Sequence, residues 1–147
     1  KNEDGGFAIR NAMEKAHVGK RAITFLRGKI PKPVSVHIFK DMFDYLSAIL
    51  LQNGKSIDGD SIILNSYDCL ADMTAYVSNY GYEQLHSWFG NDGLGNRCTL
   101  AIRRFCKAEQ LQHHNQQGHY RDFLDPNDKL VRLHRPSFNQ SNRNRLR

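Results

Sequence analysis

Val34-Ser35-Val36-His37-Ile38-Phe39-Lys40-Asp41-Met42-Phe43-Asp44-Tyr45-Leu46 changes its period partway along. Val34, Val36 and Ile38 alternate with Ser35 and His37, the period of two of a half-buried strand. Met42, Phe43, Leu46, Ile49 and Leu50 then recur at three- and four-residue intervals, which predicts an amphipathic helix. Asp41 suits its N-cap and Asn53-Gly54 its stop, so the helix spans about Asp41 to Gln52. A strand running into a helix puts the chain in a mixed α and β class.

Upstream, Ala22-Ile23-Thr24-Phe25-Leu26 is a β-favouring run closed by Arg27-Gly28-Lys29, and Pro31 and Pro33 break the pattern. Residues 22–39 therefore predict a β-hairpin with a connection over 27–33. Phe7, Ile9, Met13, Ala16 and Val18 are loosely periodic, which predicts a short helix over 7–19 ending at Gly19. Downstream, a turn-rich stretch at 55–60 leads into Ile62-Ile63-Leu64, a short buried strand, and Tyr67 to Met73 fits a short helix. Thr74 to Ser78 reads as a strand by composition or as more of that helix, and periodicity leaves both open. Three glycines make 90–96 a flexible loop. Thr99–Leu111 is a basic amphipathic helix, with Leu100, Ile102, Phe105 and Cys106 opposite Arg103, Arg104 and Lys107. From Gln112 the chain is rich in His, Asn and Gln. Its last 22 residues carry six basic groups and one acid, a composition that by itself predicts disorder.

The 147 residues hold 21 Lys or Arg against 15 Asp or Glu, a net charge of +6, with 39% hydrophobic residues. That suffices for one domain with a core plus extensions. No apolar run approaches the roughly 20 residues that span a bilayer, and the first residues lack the layout of a signal peptide. A chain starting at Lys reads as a fragment. Three cysteines without close pairing speak against a disulfide framework and fit a reducing, cytoplasmic compartment. The charge is unevenly spread: residues 20–40 hold six cations and no acid, 41–95 are net −7, and 96–107 return to +4. Two basic blocks sharing one face would attract nucleic acid, anionic lipid or an acidic protein surface.

Chemical motifs are weak by comparison. Cys98 and Cys106 have seven residues between them, too many for a zinc knuckle, and His114 and His119 do not share a helical face. No nucleophile-elbow or cysteine-protease signature occurs. Gly90-Asn91-Asp92-Gly93-Leu94-Gly95 matches neither phosphate-loop pattern, and Asp58-Gly59-Asp60 is too short for a calcium loop. The reading is a non-enzymatic protein without metal or cofactor. Tyr76, Tyr80, Tyr82, Trp88 and Phe89 could stack bases, but their acidic neighbourhood favours a place in the core.

The order strand, strand, helix, strand, short helix, strand is that of a ubiquitin-like β-grasp roll, and within it residues 21–85 resemble a doublecortin domain. Ile23-Thr24-Phe25-Leu26-Arg27-Gly28-Lys29 is similar to the strand that opens that family, though without its Asn. Val34 to Leu46 resembles the second strand and its helix, and Tyr76-Val77-Ser78-Asn79 the last strand. Asp58-Gly59 departs from the family, preceding Ile62 where an Asp-Gly turn should follow the strand. The resemblance implies an α+β fold with extra N- and C-terminal helices and an extended basic tail. Its parts are an N-terminal helical extension (1–19), the roll (20–89), a loop and basic helix (90–111) and the tail (112–147).

Doublecortin domains bind microtubules between protofilaments, where tubulin is acidic. The resemblance thus implies a structural microtubule-associated protein of the cytoskeleton, including the ciliary axoneme, within a large assembly and off the membrane. The contact would use Lys20, Arg21, Arg27, Lys29, Lys32 and Lys40, with Arg103, Arg104, Lys107, Arg143, Arg145 and Arg147 extending over the lattice. The alternative partner is RNA, as for a ribosome-associated basic protein, held mainly by Arg103, Arg104 and the tail.

Overall fold

The computed structural model describes residues 1–10 and 14–135. Its centre is the strand-to-helix switch. β4 (Ser35–Phe39) leads through Asp41, whose carboxylate accepts from the Phe43 and Asp44 amides at 3.0 and 3.1 Å, into α1 (Met42–Leu51). Asn53 and Gly54 both take positive φ, 58° and 72°, ending the helix where the turn residues required. β5 (Asp60–Ile63), α2 (Leu70–Tyr80), β6 (Gln84–Trp88), α3 (Gly93–Ala108), β7 (Gln112–Asn115) and α4 (Pro126–Leu133) follow. β3 (Thr24–Leu26) precedes β4.

The main sheet has the order β3-β5-β4-β6-β7. β4 pairs in parallel with β5 on one side and β6 on the other, β7 adds in parallel to β6, and β3 closes the far edge antiparallel to β5. Each parallel neighbour is reached through a helix, as parallel pairing demands. Residues alternate between two cores. Val36, Ile38, Ile62, Leu64, Leu85 and Phe89 pack with Met73 and Val77 of α2 and Ile102 and Cys106 of α3. Phe39, Ile63 and Trp88 face the other way, onto Ala48 of α1 and Tyr120. α4 lies along α1, with the Ser47 hydroxyl 3.3 Å from Asn127 Oδ1.

The class is mixed α and β, but several expected elements differ. The hairpin over 22–39, on which the expected roll is built, does not form: Thr24, Phe25 and Leu26 sit opposite Ile63, Ile62 and Ser61, while β4 lies between parallel partners. An uninterrupted parallel core buries both faces of β4, which a hairpin at a sheet edge would not. The helix over 7–19 is instead a separate antiparallel pair, β1 (Phe7–Arg10) with β2 (Lys15–Val18), where Phe7↔Val18 and Ile9↔Ala16 follow a period of two. Thr74–Ser78 continues the helix. The loop over 90–96 is already α3 from Gly93, started by Asp92, whose side chain accepts from the Gly95 amide at 2.6 Å. Leu100, expected on the buried face of α3, is 44% exposed. The tail is not extended throughout, since Pro126–Leu133 is helical, begun by Pro at its first turn and capped by Asp125.

Candidate functional site

Pairing direction decides where the basic residues go. β3 is antiparallel to β5, so Lys20 and Arg21 precede it at the end where the parallel strands finish, and Arg27, Lys29 and Lys32 follow it at the end where they begin. The 20–40 block is therefore divided between the two ends of the sheet. Lys20 is exposed and paired with Asp4 at 2.7 Å. Arg21 and the half-buried Lys40 border a depression of about 240 Å³ with His17, Asn65, Ser66 and Tyr67, and the Lys40 ammonium lies 5.8 Å from the Tyr67 ring centre. Ligands of open parallel sheets commonly sit at this carboxyl end. Here Asp41 and Asp92 serve as helix caps, and the Asn91 amide donates to the Tyr120 and Phe123 carbonyls at 2.9 and 2.8 Å.

The opposite end is better furnished. α3 runs back from the end of β6 to the start of β7, so Arg103, Arg104 and Lys107, all exposed, lie toward the amino ends of the strands but on the β7 side, while Arg27 follows β3 at the opposite edge of the sheet. Arg143, Arg145 and Arg147 lie outside the described residues. Arg27 keeps 64% of its side chain exposed, yet it is anchored: it donates to Tyr80 Oη and lies 3.4 Å from Asp60 Oδ2. Its guanidinium carbon is 4.8 Å from the Phe25 ring centre and 5.4 Å from that of Tyr80. The hydrogen bond to Tyr80 raises its pKa further, which keeps it a permanent cation.

Asp60 is fully buried at the start of β5, where its carboxylate accepts from Tyr82 Oη at 2.7 Å and the Gly28 amide at 2.9 Å. It fixes the turn that carries Lys29 and Lys32. Burial pushes the Tyr82 hydroxyl well above its ordinary pKa, and the hydrogen bond to Asp60 adds to this, so it stays a donor.

The aromatic residues form a chain along this rim. Ring centres are 5.1 Å apart for Phe25 and Tyr76, 5.8 Å for Tyr76 and Tyr80, and 4.3 Å for Tyr80 and Tyr82. Tyr82 is buried, whereas Phe25, Tyr76 and Tyr80 are part-exposed. A depression of about 430 Å³ bounded by Arg27, Lys29, Ile30, Lys32 and Tyr80 meets another of about 370 Å³ bounded by Tyr76, Asn79 and Tyr80. The two share Tyr80 in their linings, so a cationic depression and an aromatic one adjoin at that ring, an arrangement we call the trough. Tyr82, Trp88 and Phe89 lie in the cores as expected, while Tyr76 and Tyr80 pack against one and stay part-exposed. The signal was present: Tyr76 and Tyr80 are four apart, so they share a helical face once α2 is known to continue past Met73.

Among the described residues no group of three or more His, Cys, Asp or Glu could hold a metal ion, and no helix is long and apolar enough to cross a membrane. Cys69, Cys98 and Cys106 are buried thiols. Nothing among protein-family models, curated proteins or solved structures matches this chain.

Proposed function

We propose that this chain is a non-enzymatic polyanion-binding module whose ligand is a single-stranded nucleic acid held in the trough at the amino ends of the parallel strands. The observation that carries this reading is the Arg27 guanidinium beside both Phe25 and Tyr80, with Lys29 and Lys32 exposed next to it. Cations that neutralise phosphates beside rings on which bases stack are what sequence-tolerant single-strand binding requires. The net charge of +6 draws polyanions toward the chain as a whole.

A second reading follows from the doublecortin resemblance: the same Arg27, Lys29 and Lys32 contact the acidic groove between tubulin protofilaments, in a cytoplasmic, cytoskeletal assembly. Their exposure supports it equally. The aromatic wall favours bases, whose faces stack on rings, whereas carboxylates are drawn by the cations alone.

The two readings separate in one experiment. Fluorescence anisotropy of a labelled 12-nucleotide single strand is followed at two salt concentrations, beside co-sedimentation with taxol-stabilised microtubules. Nucleic-acid binding predicts that Tyr80→Ala weakens the strand's affinity roughly tenfold or more through lost stacking. Lys29→Ala and Lys32→Ala should each reduce the salt slope by about 0.7 for a single strand. Strand binding that ignores Tyr80, or salt-sensitive pelleting with microtubules that excess RNA does not compete, would overturn the nucleic-acid reading.

A further inference from the structure

The face of the sheet turned away from the trough carries a different arrangement. His37 of β4, His86 of β6 and His114 of β7 occupy matched positions, His37 opposite His86 and His86 opposite His114. Their rings stack, with centres 4.2 Å apart at 6° and 4.5 Å apart at 14°. Trp88 Nε1–H donates to His37 Nδ1 at 3.1 Å, and the Gln116 side-chain amide donates to His86 Nδ1 at 3.1 Å. Both rings therefore accept on Nδ1 and carry their proton on Nε2 when neutral. Burial, with a smaller contribution from neighbouring histidines, lowers His37 to about 3 and His86 to about 4, so both are neutral at pH 7. Parallel rings cannot converge their lone pairs on one ion, consistent with the absence of a metal-holding group among the described residues.

His37 and His86 line a cavity of about 410 Å³ together with Trp88, Leu51, Gln52 and Lys129. That volume lies in the range of small-molecule sites. No Asp or Glu lines it. The polar lining is the Nε2–H groups of His37 and His86, the His119 ring, the Gln52 and Gln116 amides and the Lys129 ammonium, all set among aromatic and aliphatic walls. The ammonium donates to the His119 carbonyl and keeps further N–H groups for a ligand. A ligand complementary to this set is flat, rich in acceptors and negatively charged.

We propose that this cavity binds a planar heteroaromatic anion of nucleotide size, its ring acceptors taken by the Nε2–H groups of His37 and His86 and its charge by Lys129. The site is separate from the trough, on the other face of the sheet, and does not depend on the trough's ligand.

Trp88 is the single tryptophan and lines the cavity, so its fluorescence reports occupancy directly. Titration with adenosine 5′-monophosphate should give a saturable change, adenosine the same change at about tenfold higher concentration, and inorganic phosphate none. His86→Phe keeps a flat ring in the stack but removes the donor, and it should weaken nucleotide binding about tenfold while the cooperative melt is retained. Lys129→Gln should remove the preference for the nucleotide over the nucleoside. Arg27→Ala and Tyr80→Ala should bind the nucleotide as the unaltered chain does. No saturable change up to millimolar nucleotide, an equal response to phosphate alone, or unchanged affinity in both His86→Phe and Lys129→Gln would overturn the proposal.

Discussion

Asp44 sits on α1 with 2% of its surface exposed, and its Oδ2 has no hydrogen-bond partner. Burial, reinforced by the nearby Asp41 and Asp125 carboxylates, pushes its pKa up to about 8 from an ordinary 3.8. The folded chain thus holds a proton that the unfolded chain releases above pH 4, so this residue makes the native state less stable as pH rises from about 4 to 8. Asp44→Asn should flatten that part of the stability curve, with a limiting slope of about 1.4 kcal/mol per pH unit removed. Urea titrations at pH 5 and pH 8 measure it, and an unchanged difference between the two would refute the assignment. Asp60 is the opposite case, a buried carboxylate supplied with donors by Tyr82, Gly28 and Arg27. Tyr82→Phe removes one donor and should cost about 1–3 kcal/mol in the same titration.

At the scale of elements, the tight joint is between β6 and α3. A Cβ at Gly95 would lie 2.0 Å from the Gly90 carbonyl oxygen, a backbone atom that cannot turn aside. Gly95→Ala should therefore push α3 off the sheet and cost about 1–3 kcal/mol, the range of overpacked cores. Gly118 has nothing within 4 Å of its own added Cβ, and Gly118→Ala should change stability by less than about 0.5 kcal/mol. Comparing the two thermal melts isolates the steric contact from the general effect of replacing glycine. The same joint explains why 90–96 looks like a loop from composition. Its glycines permit close approach of helix and strand, and they leave no side chain from which a helix could be read.

Across the whole molecule, the segment after α3 completes the fold. β7 pairs with β6, Tyr120 is buried with its hydroxyl donating to the Phe89 carbonyl at 2.9 Å, and the Gln117 amide donates to the Gly90 carbonyl at 2.8 Å. A chain ending at Glu109 would expose the edge of β6 and one face of Trp88, surfaces that pair or aggregate when uncovered. Such a truncation should lose cooperative unfolding by circular dichroism. A sharp, full-amplitude transition would show instead that β7 and α4 are appendages.

Strand β4, helix α1 with its Asp41 cap and Asn53-Gly54 stop, buried β5 and the basic helix were all legible in the sequence, because period and capping chemistry are local properties. The candidate site was half legible. Its cations Arg27, Lys29 and Lys32 stand in an acid-free run, but nothing local sets Phe25, Tyr76 and Tyr80 beside them. Strand partnership was not legible either. Whether residues 24–26 pair with 35–39 or with 60–63 depends on which arrangement buries both faces of β4, a sum over the whole core. β7 lacks apolar residues altogether and becomes a strand only because β6 offers it an open edge. The division of residues 20–40 between two ends of the sheet, and the alignment of three histidines across three strands, follow from pairing direction and register. These arise between segments distant in the chain, so only the tertiary structure decides them.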